Sequence, residues 1–212
     1  MSALVASASL WAALVAAALT AVAPRLSGEP TASGPCVGAP WRIVIAGPEE
    51  PGERLRVRGR VRRPDGTTPA PGVTVYAYQT DATGVYAREA GAPPRLRGFM
   101  TTDAEGRYEY LTIRPGAYPG RMAAAHIHHQ LWGGGWPAQW NEEILFDDDP
   151  LVSARERERS RSLGRFGAVR TTRRGTDGVL EVEHELRLKS KGDDFEEEIL
   201  HGLRACGLAP ER

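Results

Sequence analysis

Two histidines separated by a single residue, His126 and His128, are the side chains of this sequence whose type and spacing suit metal chemistry. They lie in the apolar, β-prone segment Ala125–Trp132, and side chains at positions i and i+2 of a strand point to the same face. Both imidazoles can therefore reach one metal ion, while Ile127 and His129 face the other side. Imidazole suits zinc, copper, nickel or iron. An isolated His-x-His motif, however, is more often structural than metal-binding.

The usual companions of a zinc site are missing from the sequence. It has no closely spaced cysteine pair and no His-Glu-x-x-His motif, and its two cysteines, Cys36 and Cys206, are far from the histidines. The acidic run Asp147–Asp149 follows the histidines and offers a carboxylate for a ferrous facial triad. An acidic surface turn before the next helix is the commoner interpretation of such a run.

Alternating apolar and polar residues predict the strands that must position these side chains. Residues 55–61 alternate Leu, Val, Gly and Val with arginine, which is typical of a half-buried strand. Similar patterns cover Val73–Ala77, Arg107–Ile113 and Val179–Lys189, with Gly/Pro turns between them. Short strands joined by tight turns favour an all-β fold, an antiparallel sandwich or barrel, and of these we predict an antiparallel β-sandwich. In the last strand, His184 falls on the apolar side and is predicted to be a packed core histidine.

Two segments have helical patterns. Pro150–Ser162 alternates arginine and glutamate, which favours a solvated helix face with self-neutralising ion pairs over an anion-binding patch. Asp193–Cys206 begins with acidic residues suited to a helix N-terminus and then places apolar side chains on one face. We therefore assign residues 51–190 to the sandwich and residues 191–212 to a C-terminal helix that docks on it.

Composition excludes several classes of protein. The 212 residues include 27 Lys+Arg and 27 Asp+Glu, so the formal net charge is zero, which argues against a general nucleic-acid or anionic-membrane binder. A hydrophobic content of 41% is too high for a disordered chain. The 24 glycines and 16 prolines favour many turns rather than a helix bundle.

The N-terminal region predicts export. Residues 1–24 carry no charged side chain and Leu10–Val22 is almost wholly apolar, which predicts a signal peptide or a membrane anchor, hence a secreted or membrane-anchored protein. The alternative is an alanine-rich leader that follows from a misplaced start. Residues 25–50, rich in Gly, Pro, Ser and Ala, are predicted to be a linker. Cys36 and Cys206 either form a disulfide in an oxidising compartment or are two unrelated thiols.

The segment Val73–Asp149 resembles the intradiol ring-cleavage dioxygenases of the catechol and protocatechuate type. The resemblance is carried by Gly72–Val75, Tyr78–Tyr86, Gly98–Asp103, Gly106–Tyr108, Thr112–Pro119, His126–His128, Leu145–Phe146 and Asp149–Pro150. The part before Pro115 has the same rhythm in transthyretin-like and peptidase-associated binding sandwiches. Four residues separate an enzyme from such a sandwich, namely Tyr86, Tyr118, His126 and His128.

The resemblance implies a transthyretin-like sandwich that holds Fe(III) through Tyr86, Tyr118, His126 and His128. A free phenol has a pKa of about 10, and a trivalent ion beside it removes the proton. The implied substrates are a catechol-like aromatic and O2, and the product is a muconate-type diacid. In this scheme Tyr118 is both a metal ligand and the base that takes up a substrate proton. Oligomers are compatible with the resemblance.

Two positions depart from the pattern that the resemblance leads us to expect. Ala123 stands where an arginine usually stabilises charge on the substrate ring, and Arg121 is the nearest candidate for that role. Glu143 stands where a glutamine is common. A carboxylate beside an anionic catecholate is repulsive unless it is protonated or turned away.

Two rival functions follow from the same residues. One is a non-catalytic transthyretin-like binding sandwich with a vestigial metal site, in which Tyr86 and Tyr118 are ordinary buried tyrosines. The other is a zinc or copper hydrolase or oxidase that uses the histidine pair. The run Trp132–Trp140 is either a flexible lip over the site or a glycine-rich connection with aromatic side chains packed beneath it.

Overall fold

The computed structural model describes residue 36 and residues 38–120, 123–190 and 200–206 of the chain. Strands dominate these residues, as the sequence predicts. The elements are β1 (Arg42–Val44), β2 (Arg54–Arg62), β3 (Thr74–Gln79), β4 (Leu96–Thr101), β5 (Arg107–Ile113), β6 (His126–Gly133), β7 (Trp136–Phe146), α1 (Ala154–Leu163), a 3₁₀ turn (Gly164–Phe166), β8 (Val169–Arg170), β9 (Arg173–Arg174), β10 (Leu180–Glu183), β11 (Leu186–Arg187) and α2 (Leu200–Ala205).

The strands form two sheets, and both sheets are mixed. The first has the order β1-β5-β2-β10-β9, with β11 also pairing with β2, and the second has the order β4-β3-β6-β7-β8. The prediction of purely antiparallel sheets is wrong, because β1 pairs parallel to β5, β10 and β11 pair parallel to β2, and β8 pairs parallel to β7. These strands reach their partners through long connections rather than hairpins, and a parallel pair needs such a crossover.

One apolar core lies between the two sheets. In β2, Leu55, Val57 and Val61 are fully buried while the intervening arginines are more exposed, as the alternation predicts. Their side chains join one cluster with residues of the second sheet, including Val75 and Ile127. Removing this apolar surface from water is the main stabilisation of the fold.

The predicted strand over Val179–Lys189 is interrupted. It divides into β10 and β11 where the chain passes close over Gly59, at which a Cβ atom would stand 1.9 Å from the carbonyl oxygen of His184. The Tyr108 hydroxyl donates to that carbonyl at 2.7 Å. His184 is fully buried, as predicted, and its ring lies 5.2 Å from that of His129, centroid to centroid.

The outer face of the second sheet is covered as well. All six residues of β3 are buried, so this strand shows no alternation of exposure. Tyr76, Tyr78, Phe99 and Trp132 form a second apolar cluster on this face, against which Leu203 near the C-terminus packs. A glycine in α2 allows this approach, because a Cβ at Gly202 would stand 2.8 Å from the Tyr76 ring.

A disulfide between Cys36 and Cys206 joins the two ends of the described chain. The predicted C-terminal helix is present as α2, and its predicted beginning at Asp193 lies outside the described residues. β1 lies inside the stretch 25–50 for which we predict a linker, so the first sheet begins before residue 51. The division of the chain into 51–190 and 191–212 stays a prediction, and the leader over residues 1–24 lies outside the described residues.

Helix α1 confirms the other helical prediction and begins at Ala154. Ser153 and Glu156 cap its N-terminus reciprocally: the Ser153 hydroxyl accepts from the Glu156 amide, and the Glu156 carboxylate accepts from the Ser153 amide. Its arginines and glutamates are largely exposed. Within the part of the chain described here, no helix is long and apolar enough to span a membrane.

Candidate metal centre

The structure brings together the four residues predicted to bind metal, from three parts of the chain. His126 and His128 lie on β6 and project from the outer face of the second sheet, as the i, i+2 spacing predicts. Tyr86 follows β3 in the loop that leads to β4, and Tyr118 follows β5 in the loop that leads to β6.

Two phenol oxygens and two imidazole nitrogens form a closed ring of contacts. Tyr118 Oη lies 2.9 Å from His126 Nε2, and His126 Nε2 lies 3.0 Å from His128 Nε2. His128 Nε2 lies 2.8 Å from Tyr86 Oη, and the two hydroxyls contact each other. Ligand atoms held at about 2 Å by one ion stand about 3 Å apart, so this spacing fits a shared ion.

The outer nitrogens of both imidazoles lie beside oxygen atoms, and only that of His126 meets hydrogen-bond geometry. His126 Nδ1 donates to the Ala124 carbonyl oxygen at 2.7 Å, and His128 Nδ1 lies 2.7 Å from a carboxylate oxygen of Glu143. A carbonyl or a carboxylate can only accept, so a proton between it and the imidazole belongs to Nδ1, and an imidazole that carries its single proton there presents an unprotonated Nε2 to the centre.

The number of protons available to the four contacts shows that this ring of atoms suits a cation. When both rings carry their single proton on Nδ1, only the two phenol protons serve the four contacts, so two contacts, always including the one between His126 and His128, have no proton between their electronegative atoms. A metal ion that accepts all four lone pairs removes this repulsion. Two hard phenolate oxygens with two imidazole nitrogens form a donor set that fits a ferric ion.

Close contact between two loop backbones places Tyr86 beside Tyr118. The Gly116 amide donates to the Asp81 carbonyl at 2.9 Å, and the Thr80 hydroxyl donates to the Gly116 carbonyl at 2.8 Å. Gly84 has a φ of +85°, and a Cβ there would stand 2.0 Å from the Ala117 carbonyl oxygen. Glycine is therefore required at this approach.

Asp81 fixes the shape of the loop that carries Tyr86. Its carboxylate accepts from the amides of Thr83 and Val85 at 2.9 and 3.1 Å. Burial alone would raise the pKa of Asp81, but these hydrogen bonds and those from the Thr83 hydroxyl and Arg95 outweigh it, so the pKa is lowered. The Arg95 amide also donates to the Tyr86 carbonyl at 2.7 Å.

Aromatic side chains enclose the centre. Tyr78 stacks on His128 with ring centroids 4.6 Å apart, and Trp140 meets the same imidazole edge-on at 5.9 Å. Burial raises the pKa of Tyr86, and the hydrogen bond to Tyr118 raises it further, so this phenol does not ionise without a nearby cation.

The run Trp132–Trp140 forms the β6–β7 hairpin. Trp132 is buried in the outer aromatic cluster, and Trp136 packs against the central core. Trp132 and Trp136 thus follow the second sequence interpretation, packed aromatic side chains, whereas Trp140 lies beside His128, as the first interpretation expects. Tyr78 was not predicted as a site residue, because only the pairing of β3 with β6 brings it to His128.

The carboxylates near the histidines have separate partners. Asp148 pairs with Arg114 at 2.5 Å, and Asp149 accepts from the Ala125 amide at 2.9 Å, where it helps to position the start of β6. His126, His128 and Glu143 form a group that could hold a metal, with ligand atoms within 4.8 Å. Glu143 faces Nδ1 of His128, however, whereas the tyrosine hydroxyls face Nε2 of both imidazoles.

Two residues were expected beside the metal ligands, Glu143 and Arg121, and only Glu143 lies in the described part of the chain. Burial alone would raise the pKa of Glu143, but the contact with the His128 imidazole, with the nearby imidazoles of His126 and His129, outweighs it, so the pKa lies below its usual range. The carboxylate is thus ionised and turned to an imidazole. Arg121 lies outside the described residues, so its role stays a prediction.

Comparison with known sequences identifies relatives over most of the described chain. Residues 40–190 match the family described as Dioxygenase. The beta chain of protocatechuate 3,4-dioxygenase from Burkholderia cepacia is 36% identical over 143 residues, covering 58% of this chain and 60% of that protein. Chlorocatechol 1,2-dioxygenase from Rhodococcus opacus is 28% identical over 152 residues, covering 62% and 54%. The chain thus spans little more than half the length of these curated relatives.

Comparison with solved structures gives the same fold. The dioxygenase domain of a carbohydrate-binding fusion protein from Streptomyces sp. SirexAA-E has a TM-score of 0.54 at 25% identity, covering 71% of this chain and 89% of that one. Catechol 1,2-dioxygenase from Pseudomonas arvilla C-1 has a TM-score of 0.58 at 22% identity, covering 77% and 62%. An intradiol ring-cleavage dioxygenase from Tetranychus urticae has a TM-score of 0.52 at 22% identity, covering 71% and 87%.

Proposed function

This chain belongs to the intradiol ring-cleavage dioxygenase family, and we propose that it cleaves a catechol-like aromatic with O2 at a non-haem Fe(III) centre. One observation carries the proposal: four side chains, Tyr86, Tyr118, His126 and His128, form a ring of contacts that two phenol protons cannot fully satisfy. These four side chains would hold a ferric ion, whose charge would favour loss of the phenol protons.

The residues of the chain supply binding, orientation and proton transfer. Ferric iron, when bound, supplies Lewis-acid activation of the catechol. The proposed role of Tyr118 is to take up a catechol proton at Oη. Its oxygen contacts both Tyr86 and His126 and sits on a loop rather than on the sheet, so its departure leaves the strand-borne histidines in place. Tyr78 and Trp140 shield His128 from water.

The proposed reaction conserves atoms without a further reductant. The bond between the two hydroxylated ring carbons breaks, both atoms of O2 enter the product, and each of those carbons becomes a carboxyl group. The catechol supplies the electrons that reduce O2, and the product is a muconate-type diacid.

The rival functions have less support. The relatives in both comparisons are named as dioxygenases, so a non-catalytic binding sandwich is not favoured. A zinc or copper enzyme that uses only the histidine pair as ligands would not explain why the phenol oxygens of Tyr86 and Tyr118 contact the same two imidazoles.

Three further features belong to the proposal. We propose a transthyretin-like course of the strands, supported by the two sheets that share one core. Residence outside the cytoplasm, as a secreted or membrane-anchored protein, is supported by the Cys36–Cys206 disulfide, because such bonds persist in oxidising compartments. We also propose that the protein assembles into oligomers. The structure contains a single chain and therefore shows no contact between subunits.

Oxygen uptake on a panel of catechols tests the proposed function. We expect iron-loaded protein to consume one O2 per catechol and to form the ultraviolet-absorbing diacid of intradiol cleavage. Tyr118→Phe should lose most turnover, because it removes the proton-accepting oxygen. No uptake with any catechol, or the yellow product of extradiol cleavage, would contradict the proposal.

A further inference from the structure

Glu143 is the charged side chain nearest to the proposed ligands, and no step above uses it. We propose that Glu143 is a positioning residue that acts through His128: its carboxylate holds the Nδ1 proton, fixes which nitrogen faces the centre, and makes the imidazole a stronger donor to the metal. The metal part of this inference rests on the proposed function, whereas the part that concerns the imidazole does not.

The pairing of β6 with β7 places Glu143 opposite His128. Ile127 pairs with Ile144, and continuing that register puts Glu143 across from His128, so their side chains share a face. The next pair is His129 with Asn141, so the register shifts by one residue between the two pairs. Two residues of β7, Glu142 and Glu143, therefore stand against His128 alone, and a bulge of this kind re-aims side chains.

The two neighbouring glutamates therefore have different partners. Glu142 accepts from both terminal nitrogens of Arg159, at 2.7 and 2.5 Å, in a bidentate ion pair. Glu143 Oε1 lies 2.7 Å from His128 Nδ1, and among the described residues Glu143 makes no ion pair with an arginine or lysine. Its negative charge is therefore directed at the imidazole rather than neutralised at the surface.

A carboxylate has two effects on a metal-binding imidazole, and a neutral acceptor has only the first of them. Both hold the Nδ1 proton and so keep Nε2 free to bind, but the carboxylate also pulls the proton towards itself and increases the electron density on the ring. The adjacent imidazole serves as an internal comparison, because His126 Nδ1 is held by the neutral carbonyl of Ala124. The structure thus gives the two histidines outer partners of different charge.

Three variants separate the hydrogen bond from the charge. E143L removes both, E143Q keeps an acceptor but removes the charge, and E142Q is the matched control that alters only the pair with Arg159. We expect E143L to lose about 10- to 100-fold in iron affinity, measured by competition with a chelator. E143Q should retain most of the affinity, while its phenolate-to-iron charge-transfer band moves to longer wavelength, because a weaker imidazole donor leaves the iron a better electron acceptor. E142Q should match the parent in both measurements.

A second measurement on the iron-free protein reads the imidazole itself. In protein labelled with ¹⁵N-histidine, we expect His128 of the parent and of E142Q to carry its proton on Nδ1, and E143L to lose that preference. The positioning role is overturned if iron affinity, band position and His128 tautomer in E143L and E143Q all equal those of the parent. Failure of the proposed function looks different, because iron-loaded parent would then lack turnover while the tautomer still depended on Glu143.

Discussion

The proton inventory of individual side chains determines what the centre can bind. Each histidine of the pair has its outer nitrogen 2.7 Å from an oxygen atom, and the two inner nitrogens lie 3.0 Å apart. Burial and the contact with Tyr118 raise the pKa of the Tyr86 phenol, so its proton leaves only when a cation replaces it. Binding of a ferric ion should therefore release protons and weaken as the pH falls.

A second protonation effect concerns His184, deep in the core. Burial lowers its pKa well below the usual 6.5, and the neighbouring charges of His129 and Arg170 lower it further. The unfolded chain takes up this proton near pH 6.5 and the folded chain does not, so the free energy of unfolding should fall as the pH drops below about 6.5. The slope from this one group approaches about 1.4 kcal/mol per pH unit.

Urea unfolding of the parent and of His184→Leu between pH 5 and 8 measures this slope. Neither ring nitrogen of His184 has a hydrogen-bond partner among the described residues, so the variant should be no less stable at pH 8. Below about pH 6.5 it should lose less stability than the parent, because it has no histidine to protonate. Parallel curves for the two proteins would contradict the assignment.

At the scale of elements, the site depends on how two loops meet. The strand that carries the histidines is regular in spacing, but the tyrosines lie on loops whose relative position is set by the Gly116–Asp81 hydrogen bond and the close approach at Gly84. Local sequence patterns do not predict such contacts, because they join backbone segments that are far apart in the chain.

Gly84→Ala should break this approach, and Gly91→Ala is its matched control. Both glycines have positive φ, at +85° and +79°, so either alanine costs about 1 kcal/mol of stability from backbone strain. Only at Gly84 would the new Cβ meet backbone, 2.0 Å from the Ala117 oxygen, whereas nothing lies within 4 Å at Gly91. We expect Gly84→Ala alone to move Tyr118 away from Tyr86 and to weaken iron binding. Equal iron affinities in the two variants would show that the loop contact does not position the ligands.

Sequence patterns predict elements better than they predict pairing. The alternation in residues 55–61 matches β2, and the i, i+2 spacing places His126 and His128 on one face. Strand direction is not encoded in alternation, which is why the parallel pairing of β10 with β2 was missed. β3 gives no alternation because the core covers one face and the outer aromatic cluster the other.

The candidate site shows the same division. Tyr86 and Tyr118 lie in loops without a local signature, so only the family resemblance singled them out. The contact of Glu143 with His128 could not be predicted from the sequence, because it depends on the register of β7 against β6.

At the scale of the whole molecule, the disulfide and helix α2 connect the two ends of the described chain to the site. Cys206 follows α2, which packs on the aromatic cluster containing Tyr76 and Tyr78, and Tyr78 stacks on His128. The covalent link thus supports the outer wall of the centre.

Replacing Cys36 and Cys206 together with serine should lower the free energy of unfolding by about 2–5 kcal/mol, because the bond closes a loop of 170 residues in the unfolded chain. Urea unfolding of the parent and the double variant measures the loss, and reducing agent should destabilise only the parent. An unchanged midpoint in the double variant would show that the bond contributes nothing to stability.

The visible and resonance Raman spectra of iron-loaded protein test the central claim most directly. We predict one ferric ion per chain and a tyrosinate-to-iron charge-transfer band, both reduced strongly in Tyr86→Phe and His126→Ala. Both should persist in Tyr110→Phe, since that hydroxyl contacts His129 on the opposite face of the sheet. Iron-replete protein without the band, or a band and iron content unchanged in Tyr86→Phe and His126→Ala, would contradict the account.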